Sequence, residues 1–420
     1  KTLYLFYPTN YKMKRRILVV GCGGIGCELI KLLAKGEQNH LILIDFDTIE
    51  LSNLNRQFLF LDEDIGKFKA EMICKKIKNL IPSCEYLVDN IKNYDLNFFK
   101  ELDIVYNCLD NNESRGHVNL MCFLSKTKLI DGGSGGYKGQ ACYFDYSMEC
   151  FDCLPKPVNK KYHVCTVRGF PTKFEHCVEF VKTVIFEELG DPFKTKCAKK
   201  YYKKTLKEIL EVNPLEDNNC KDIKKIYRLI KKLIKKQNPK KGYKLEYNKD
   251  DYSVNELMYK LSSIRAKSAG IEIMSFFEAQ TVANNIISSI CTTNAMIASL
   301  MLLSEQKQMN YFLGIGRKSI LKIQPDNKRK DCPTCSIPWL VMNFKKNFTV
   351  IDLFEFIKPF YNCKYLLDSE MAYFSFLPYN LNEKPALIKN TIATVGCSGD
   401  KILKIYFLEE KENFEIVNRI

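Results

Sequence analysis

Residues 16–31 read RILVVGCGGIGCELIK, and this stretch decides the fold of the chain. An apolar, β-branched run leads into a cluster of glycines, and the residues after it repeat apolar side chains at helical spacing. A GxGxxG pattern between a strand and a helix predicts a nucleotide site, because glycines permit a tight turn and let the backbone approach phosphate at the helix N-terminus. A role in packing alone is the alternative for these glycines.

The segments that follow continue the same alternation of strands and helices. Short apolar runs occur at HLILIDFD, EYLVDN, DIVYNCLD and TKLIDGG, and IGKFKAEMICKKIKNL between the first two runs has helical spacing. This order is typical of a doubly wound, mostly parallel sheet with helices on both faces. We therefore predict an α/β fold whose ligands bind beyond the carboxyl ends of the strands.

Composition places the chain among globular proteins of a reducing compartment. The 420 residues are 46% hydrophobic and 27% charged, and the length allows about three domains. No secretory signal is visible near Lys1, so the 18 cysteines are expected to be reduced thiols and metal ligands. We expect a nuclear or cytoplasmic location, or both.

Two segments could suggest a membrane or a nucleic acid as partner. Residues 281–303 carry no charge, but they include Asn284, Asn285 and Asn294, so we predict a buried helix and no membrane. Residues 194–249 hold 19 lysines or arginines against six acidic residues. Since no nucleic-acid module accompanies them, a solvated basic insertion is favoured over a phosphate-binding surface.

The pattern changes twice after Cys153. A basic, irregular and helical region follows, then a helical block from Asp251 to Gln308 and an alternating strand, YFLGIGRKSILKI. Beyond residue 336 the chain predicts a small α+β domain, with FTVIDLFEFIKPF ending in a helix and KILKIYFLEE as the final strand.

The residues after the second strand distinguish between nucleotide chemistries. Asp45 lies 19 residues beyond Gly26, where a carboxylate can bind ribose hydroxyls. The segment SNLNRQ, Lys69 and Asp110 then supply amides, two cations and a carboxylate. Such groups stabilise charge and hold magnesium in phosphoryl or adenylyl transfer, and hydride transfer needs none of them. Because no GxxxxGK[ST] occurs, an ATP site here is not a P-loop.

Two CxxC pairs, Cys150/Cys153 and Cys332/Cys335, predict a structural metal site. Four thiolates suit one tetrahedral zinc ion, although a redox role or coincidence in a cysteine-rich chain is the alternative. If the pairs share one ion, the long segment between them leaves the first domain and returns to it.

The segments GCGGIGCELIK, DFDTIELSNLNRQFLF, IGKFKAE and CLDNNESR resemble the adenylation domain of ubiquitin-like-protein activating enzymes. The resemblance implies ATP and Mg²⁺, adenylation of the C-terminal glycine of a small modifier, and phosphate contacts from Asn53, Arg56 and Lys69. It implies that Asp110 holds the magnesium ion. The nucleotide-binding residues implied are Gly21, Cys22, Gly23, Gly24, Ile25, Gly26, Asp45, Asn53, Leu54, Asn55, Arg56, Lys69, Asn90, Ile91, Asp110, Asn111, Asn112, Glu113, Ser114 and Arg115.

The stretch YHVCTVRGFP contains the candidate nucleophile Cys165. CTVRGFP resembles the segment that carries the catalytic cysteine in this family. Arg168, or His163 when protonated, would raise the thiolate fraction of a thiol whose ordinary pKa is about 8.5. Cys177 is the rival, with packing in a helix as its expected role.

The resemblance also implies a domain order and a set of partners. Residues 1–153 and 256–336 would form the adenylation domain, 154–255 an inserted catalytic-cysteine domain, and 337–420 a ubiquitin-fold domain that recruits a conjugating enzyme. A non-catalytic subunit would complete a heterodimer and donate an arginine. The spacing of CLPKP, HVCTVRGFP and EHC favours the branch of the family that activates SUMO.

Four other functions are alternatives to this prediction. An activating subunit for another modifier such as NEDD8 is the nearest alternative. A sulfur-carrier adenylyltransferase usually lacks the long insertion, and a scaffold subunit would be expected to lose Cys165 or Asp110. An NAD dehydrogenase is disfavoured by the NLNRQ segment.

Overall fold

A computed structural model describes most of the chain in two compact units, residues 1–156 with 288–420, and residues 157–287. The residues whose structure is described are 15–35, 39–156, 170–186, 228–230, 232–233, 247–248, 251–283, 289–316, 319–361, 363–367, 372–374, 390–398 and 402–420.

The first unit begins with alternating strands and helices. They are β1 Arg16–Val20, α1 Gly24–Leu33, β2 His40–Ile44, α2 Lys69–Ile77, β3 Cys84–Leu87, α3 Leu96–Lys100, β4 Ile104–Asn107, α4 Asn112–Ser125, β5 Lys128–Gly135 and β6 Lys138–Phe144. Strands β1 to β5 pair in parallel in the order β3-β2-β1-β4-β5, and β6 continues the sheet antiparallel to β5. The predicted α/β class is confirmed.

The central strands are apolar throughout because both faces of the sheet are covered. Ile17 and Val19 of β1 belong to one buried cluster, and Leu18 and Val20 belong to another on the opposite face. The carboxyl ends of β1 and β2 are thereby held rigidly beside the turns that follow them.

The second unit has its own helical core. Its helices α5 Phe174–Phe180, α6 Tyr252–Ser268 and α7 Phe276–Ala283 enclose one apolar cluster. The predicted boundary at residue 255 is therefore placed differently by the structure. The chain up to residue 287 belongs to this unit, because α6 and α7 bury their apolar faces against α5.

The uncharged stretch 281–303 is not the single buried helix that was predicted. Helix α7 ends at Ala283, and α8 Cys291–Lys307 begins in the first unit, where it packs on α1 and β6. Among the described residues, no helix is both long enough and apolar enough to cross a membrane.

A hairpin completes the first sheet where one alternating strand was predicted. Strands β7 Asn310–Leu313 and β8 Ile320–Ile323 pair antiparallel after β6. Gly316 has a φ of +139°, and Gly314 N–H donates to the carbonyl of Ser319 (2.7 Å). These glycines end the strand and reverse the chain.

The C-terminal segment forms a six-stranded α+β layer. Its elements are β9 Trp339–Lys345, α9 Val350–Ile357, β10 Cys363–Leu367, β11 Ala372–Phe374, β12 Ile392–Cys397, β13 Ile402–Lys411 and β14 Glu415–Arg419, in the sheet order β11-β10-β12-β13-β9-β14. KILKIYFLEE is β13 and not the final strand, since β14 pairs with the other side of β9. The segment is α+β, and the ubiquitin fold itself stays a prediction.

The two faces of this C-terminal sheet are buried against different partners. Leu340 and Met342 face α9 in one apolar cluster. Trp339 and Val341 belong instead to the cluster that includes Phe99 and covers the first sheet. Alternate residues of β9 therefore pack into two different apolar cores, one under α9 and one against the first sheet.

Candidate nucleotide edge and cysteine cluster

The carboxyl ends of β1, β2 and β4 lie side by side because these strands are parallel neighbours. The chain crosses over between β1 and β4, which makes this edge the crevice where α/β sheets bind ligands. The glycine turn follows β1, Asp45 follows β2, and Asp110 follows β4. We call this group of residues the nucleotide edge.

Two of the glycines are required by geometry. Gly21 has a φ of +93°, and a Cβ there would lie 2.9 Å from the carbonyl oxygen of Cys108. A Cβ on Gly26 would lie 2.1 Å from the carbonyl oxygen of Gly21. The first turn of α1 is therefore packed closely against the loop that precedes it, and the helix begins at the carboxyl end of β1.

Asp45 links the glycine turn to the second strand. Its carboxylate accepts hydrogen bonds from the backbone N–H of Cys22 (2.7 Å) and of Asp47 (2.8 Å). Burial raises the pKa of Asp45, while Lys69 and these two N–H groups oppose the rise. A carboxylate held in this way keeps lone pairs for the hydroxyls of a ribose.

Lys69, the first residue of α2, brings a buried positive charge to this edge. Its side chain is 9% exposed, and Nζ donates to the carboxylate of Asp47 (2.7 Å). The ammonium interacts electrostatically with Asp45. The predicted ribose carboxylate and one predicted phosphate cation are therefore brought together by the fold.

The NLNRQ segment divides into buried and exposed groups. Asn53 is buried and its side-chain oxygen accepts from the N–H of Glu50 (3.0 Å), which closes the turn Leu51–Asn53. Arg56 donates from Nη1 to the carbonyl of Ser52 (2.6 Å) and to the side chain of Asn55 (3.1 Å). Leu54 packs against the apolar core.

Gln57 was not among the predicted site residues, yet it borders the glycine turn. Its side chain is buried, and Oε1 has no hydrogen-bond partner among the described residues. Its amide nitrogen lies 4.0 Å from the position of a Cβ on Gly23. Its place directly after Arg56 in the sequence was the only available signal.

The loop after β4 contains one exposed carboxylate that is available to a ligand, and other residues whose side chains bond within the protein. Asp110 is exposed at the end of the strand, where it can bind a cation. Asn111 caps α4 by accepting from the N–H of Ser114 (2.8 Å). Glu113 pairs with Lys92 at the surface (2.5 Å), and this pairing lowers the pKa of Glu113.

Arg115 directs its guanidinium into the protein. Nε donates to the carbonyl of Leu109 (2.8 Å), Nη2 to the carbonyl of Gly132 (2.9 Å), and Nη1 to the buried carboxylate of Asp131 (3.3 Å). Asp131 also accepts from Nδ2 of Asn107 (2.9 Å). Arg115 therefore has a framework role, which means that its guanidinium joins the loop after β4 to β5 inside the protein. A contact between Arg115 and nucleotide stays a prediction.

Asn90 and Ile91, predicted near the adenine, follow β3 at the same edge of the sheet. The side chain of Asn90 accepts from the N–H of Lys92 (3.0 Å), and Ile91 is buried. Asn112 begins α4.

The two CxxC pairs meet in one buried cluster, as predicted from their sequence. The Sγ atom of Cys150 lies 4.0 Å from that of Cys153 and 3.6 Å from that of Cys332. The Sγ atoms of Cys153 and Cys335 are 3.3 Å apart. Four sulfurs arranged tetrahedrally about 2.3 Å from a zinc ion would lie about 3.8 Å apart. All four thiols are buried and mutually within 4.8 Å, so the cluster fits a structural zinc ion.

The candidate nucleophile Cys165 lies outside the described residues, as do His163 and Arg168. The rival Cys177 is fully buried in α5, and burial raises its pKa to about 11. A thiol in that state is poorly suited to nucleophilic attack. The basic segment 194–249 lies mostly outside the described residues.

Comparison with known proteins identifies the family. The profile of the ThiF family matches residues 11–334, which include most of the first segment of the first unit, the whole second unit and residues 288–334 of the first unit's second segment. The chain belongs to the ThiF family. The matched region includes the glycine turn, Asp45, Asp110 and three of the four cluster cysteines, and Cys335 lies one residue beyond it.

Three relatives illustrate the range of this similarity. SUMO-activating enzyme subunit uba-2 of Caenorhabditis elegans is 30% identical over 377 residues, covering 69% of this chain and 65% of the relative. SUMO-activating enzyme subunit 2 of Dictyostelium discoideum is 26% identical over 435 residues, covering 81% and 66%. NEDD8-activating enzyme E1 catalytic subunit of Schizosaccharomyces pombe is 28% identical over 397 residues, covering 89% and 81%. The chain thus spans slightly less than two thirds of the length of the SUMO relatives that it matches.

Proposed function

We propose that this chain is the catalytic subunit of an activating enzyme for a ubiquitin-like modifier, with SUMO as the modifier. The observation that carries the proposal is the nucleotide edge, where Asp45 and Asp110 follow the two strands that flank β1 and its glycine turn, and Lys69 at the start of α2 interacts with Asp45. This set of charges suits adenylyl transfer, and hydride transfer would not require it. The SUMO and NEDD8 relatives support the same class of activity.

In the proposed reaction, ATP is a substrate bound at the nucleotide edge. Asp45 binds the ribose, while Asn53, Arg56 and Lys69 bind phosphate oxygens. An oxygen of the modifier's C-terminal carboxylate attacks the α-phosphorus, the bond to pyrophosphate breaks, and an acyl-adenylate forms. A magnesium ion held by Asp110 would neutralise charge on the phosphates.

The second step uses Cys165. Its thiolate attacks the carbonyl carbon of the acyl-adenylate, AMP leaves, and a thioester forms. A thiol of a conjugating enzyme then accepts the modifier. The cysteine cluster has a different role in this scheme, because four thiolate ligands leave zinc no open position for catalysis.

A second subunit is part of the proposal, and an exposed apolar surface supports it. The loop between β2 and α2 exposes several large apolar side chains to solvent, the largest fractions being 70% for Leu51, 57% for Phe46 and 55% for Leu61. Exposed apolar side chains that form a contiguous patch are typical of protein contacts, and these three lie within 16 positions of one loop. We assign this surface to the non-catalytic subunit of a heterodimer located in the nucleus, the cytoplasm or both.

The test is thioester formation followed on a non-reducing gel. The chain and its partner subunit are incubated with ATP, magnesium and mature SUMO, and wild type is compared with Cys165→Ala. We expect a thiol-sensitive SUMO adduct in the wild type alone, and Cys177→Ala as the matched control should keep it. An adduct with NEDD8 and none with SUMO would identify NEDD8 as the modifier, and ATP–pyrophosphate exchange with an adduct on Cys165→Ala would reject Cys165 as the nucleophile.

A further inference from the structure

Asp152 lies between two of the cluster cysteines and connects three segments of the chain. Its Oδ2 accepts from Nδ2 of Asn119 in α4 (2.9 Å) and from Oγ1 of Thr334 in the second CxxC (2.7 Å). One carboxylate oxygen thus ties the first CxxC to the second and both to a helix of the first sheet. Lys156 lies 3.7 Å from the other oxygen.

Asn119 adds to this connection from a fully buried position. Its side-chain oxygen accepts from the N–H of Phe151 (3.2 Å), and its nitrogen lies 3.7 Å from the sulfur of Cys150. Helix α4, which starts at the nucleotide edge, therefore holds the first CxxC in place.

The second CxxC is bonded in turn to the C-terminal sheet. Nε1 of Trp339, at the start of β9, donates to the carbonyl of Thr334 (2.8 Å). Nζ of Lys404 in β13 donates to the carbonyl of Pro333 (2.8 Å) and lies 5.2 Å from the centre of the Trp339 ring. Two adjacent strands of the sheet are thus attached to the loop that supplies two metal ligands.

We propose that Asp152 is a positioning residue that closes the two CxxC pairs around the metal, and that docking of the C-terminal sheet depends on this closure. The zinc ion would fix the loop carrying Thr334, and Thr334 presents the carbonyl that receives Trp339. Loss of the metal frees this loop, so the face of the sheet bearing Trp339 separates from the first sheet. Groups that hydrogen-bond to the loops carrying metal ligands act in this way by orienting the ligands.

Trp339 is the only tryptophan of the chain, so its fluorescence reports on the docked face. The full chain is treated with an excess of a chromogenic zinc chelator while zinc release, tryptophan emission and far-ultraviolet circular dichroism are recorded together. We expect one zinc ion per chain, and a red shift of emission that follows zinc release while most of the helical signal is kept. A chain without zinc, emission that does not change on release, or loss of the whole helical signal with it would each overturn the proposal.

The role of Asp152 is tested by Asp152→Asn against Asp331→Asn. Both changes remove one carboxylate beside a cluster cysteine, but Asp331 is 80% exposed and pairs with Arg329 at the surface. We expect Asp152→Asn to weaken zinc binding by about 10- to 100-fold, with a matching fall in the chelator concentration that exposes Trp339, and Asp331→Asn to resemble wild type. Equal zinc affinity in the two variants would overturn the assignment.

A second variant tests the same hydrogen bond in case Asp152→Asn does not fold. Thr334→Val removes the hydroxyl that donates to Asp152 and keeps the backbone carbonyl that accepts from Trp339. Zinc affinity should fall in this variant, and Trp339 should remain buried while metal is bound. Wild-type zinc affinity in Thr334→Val would show that the two CxxC pairs close without Asp152.

Discussion

The nucleotide edge and the cysteine cluster are built in opposite ways. At the nucleotide edge, residues from one run of about 100 positions are placed by consecutive strand ends. At the cysteine cluster, residues 182 positions apart must meet in the interior. The first site leaves Asp110 exposed, whereas all four cluster thiols are buried.

At the nucleotide edge, the residues that stabilise the fold differ from those that can act on a ligand. At the cysteine cluster, the same residues do both. At the nucleotide edge, framework residues such as Arg115 are distinct from exposed groups that can act on a ligand. At the cluster, the ligands themselves belong to the apolar core. Single substitutions at the nucleotide edge should therefore affect either stability or activity.

Arg115→Met should cause the largest loss of stability. The buried carboxylate of Asp131 would lose its cationic partner, which costs about 3 to 5 kcal/mol in the free energy of unfolding. Chemical denaturation measures the loss. Lys75→Met, which breaks an exposed pair with Glu71, should leave stability nearly unchanged, and equal effects would contradict a framework role for Arg115.

Asp110→Asn should have the opposite effect, with activity reduced and stability unchanged. Because Asp110 is exposed, the denaturation midpoint should stay at its wild-type value. ATP–pyrophosphate exchange by the chain with its proposed partner subunit should fall by roughly 100-fold or more, since the carboxylate that we propose to hold magnesium is lost. Exchange at the wild-type rate would show that Asp110 does not hold the magnesium ion.

Gly26→Ala should destabilise the chain by about 1 to 3 kcal/mol, because its Cβ would lie 2.1 Å from the carbonyl oxygen of Gly21. Gly116→Ala is the matched helical control, since nothing lies within 4 Å of a Cβ there. The control should be neutral or stabilising by up to about 1 kcal/mol. Thermal or chemical unfolding measures both variants, and equal stability of the two would contradict the steric role of the close contact at Gly26.

The pH dependence of nucleotide affinity should show the smallest effect. Since burial raises the pKa of Asp45, its carboxylate takes up a proton at a higher pH than an exposed aspartate, whose pKa is about 3.9. Affinity should therefore be full near neutral pH and weaken on acidification while other carboxylates are still ionised. Titration calorimetry of wild type and Asp45→Asn measures it, and an equal slope in the variant would exclude Asp45 as the group responsible.

Much of the nucleotide edge could be predicted because its signals are local. The glycine turn, Asp45 and the mostly parallel α/β sheet follow from residue spacing in a strand–turn–helix context. The roles of single residues could not be predicted in the same way. The guanidinium of Arg115 and the cap at Asn111 depend on which carbonyls and N–H groups the fold places beside them.

The sequence by itself determined the α/β class, the nucleotide turn and the candidacy of the two CxxC motifs as metal ligands, because glycine conformations, apolar periodicity and thiol chemistry belong to short segments. Only the tertiary structure decided that residues 256–287 join the inserted unit, that residues 281–303 are divided between helices, and that the two CxxC pairs meet in a cluster whose second loop is hydrogen-bonded to the C-terminal sheet. These outcomes depend on which apolar faces and polar groups are buried together, and burial is a property of the whole fold.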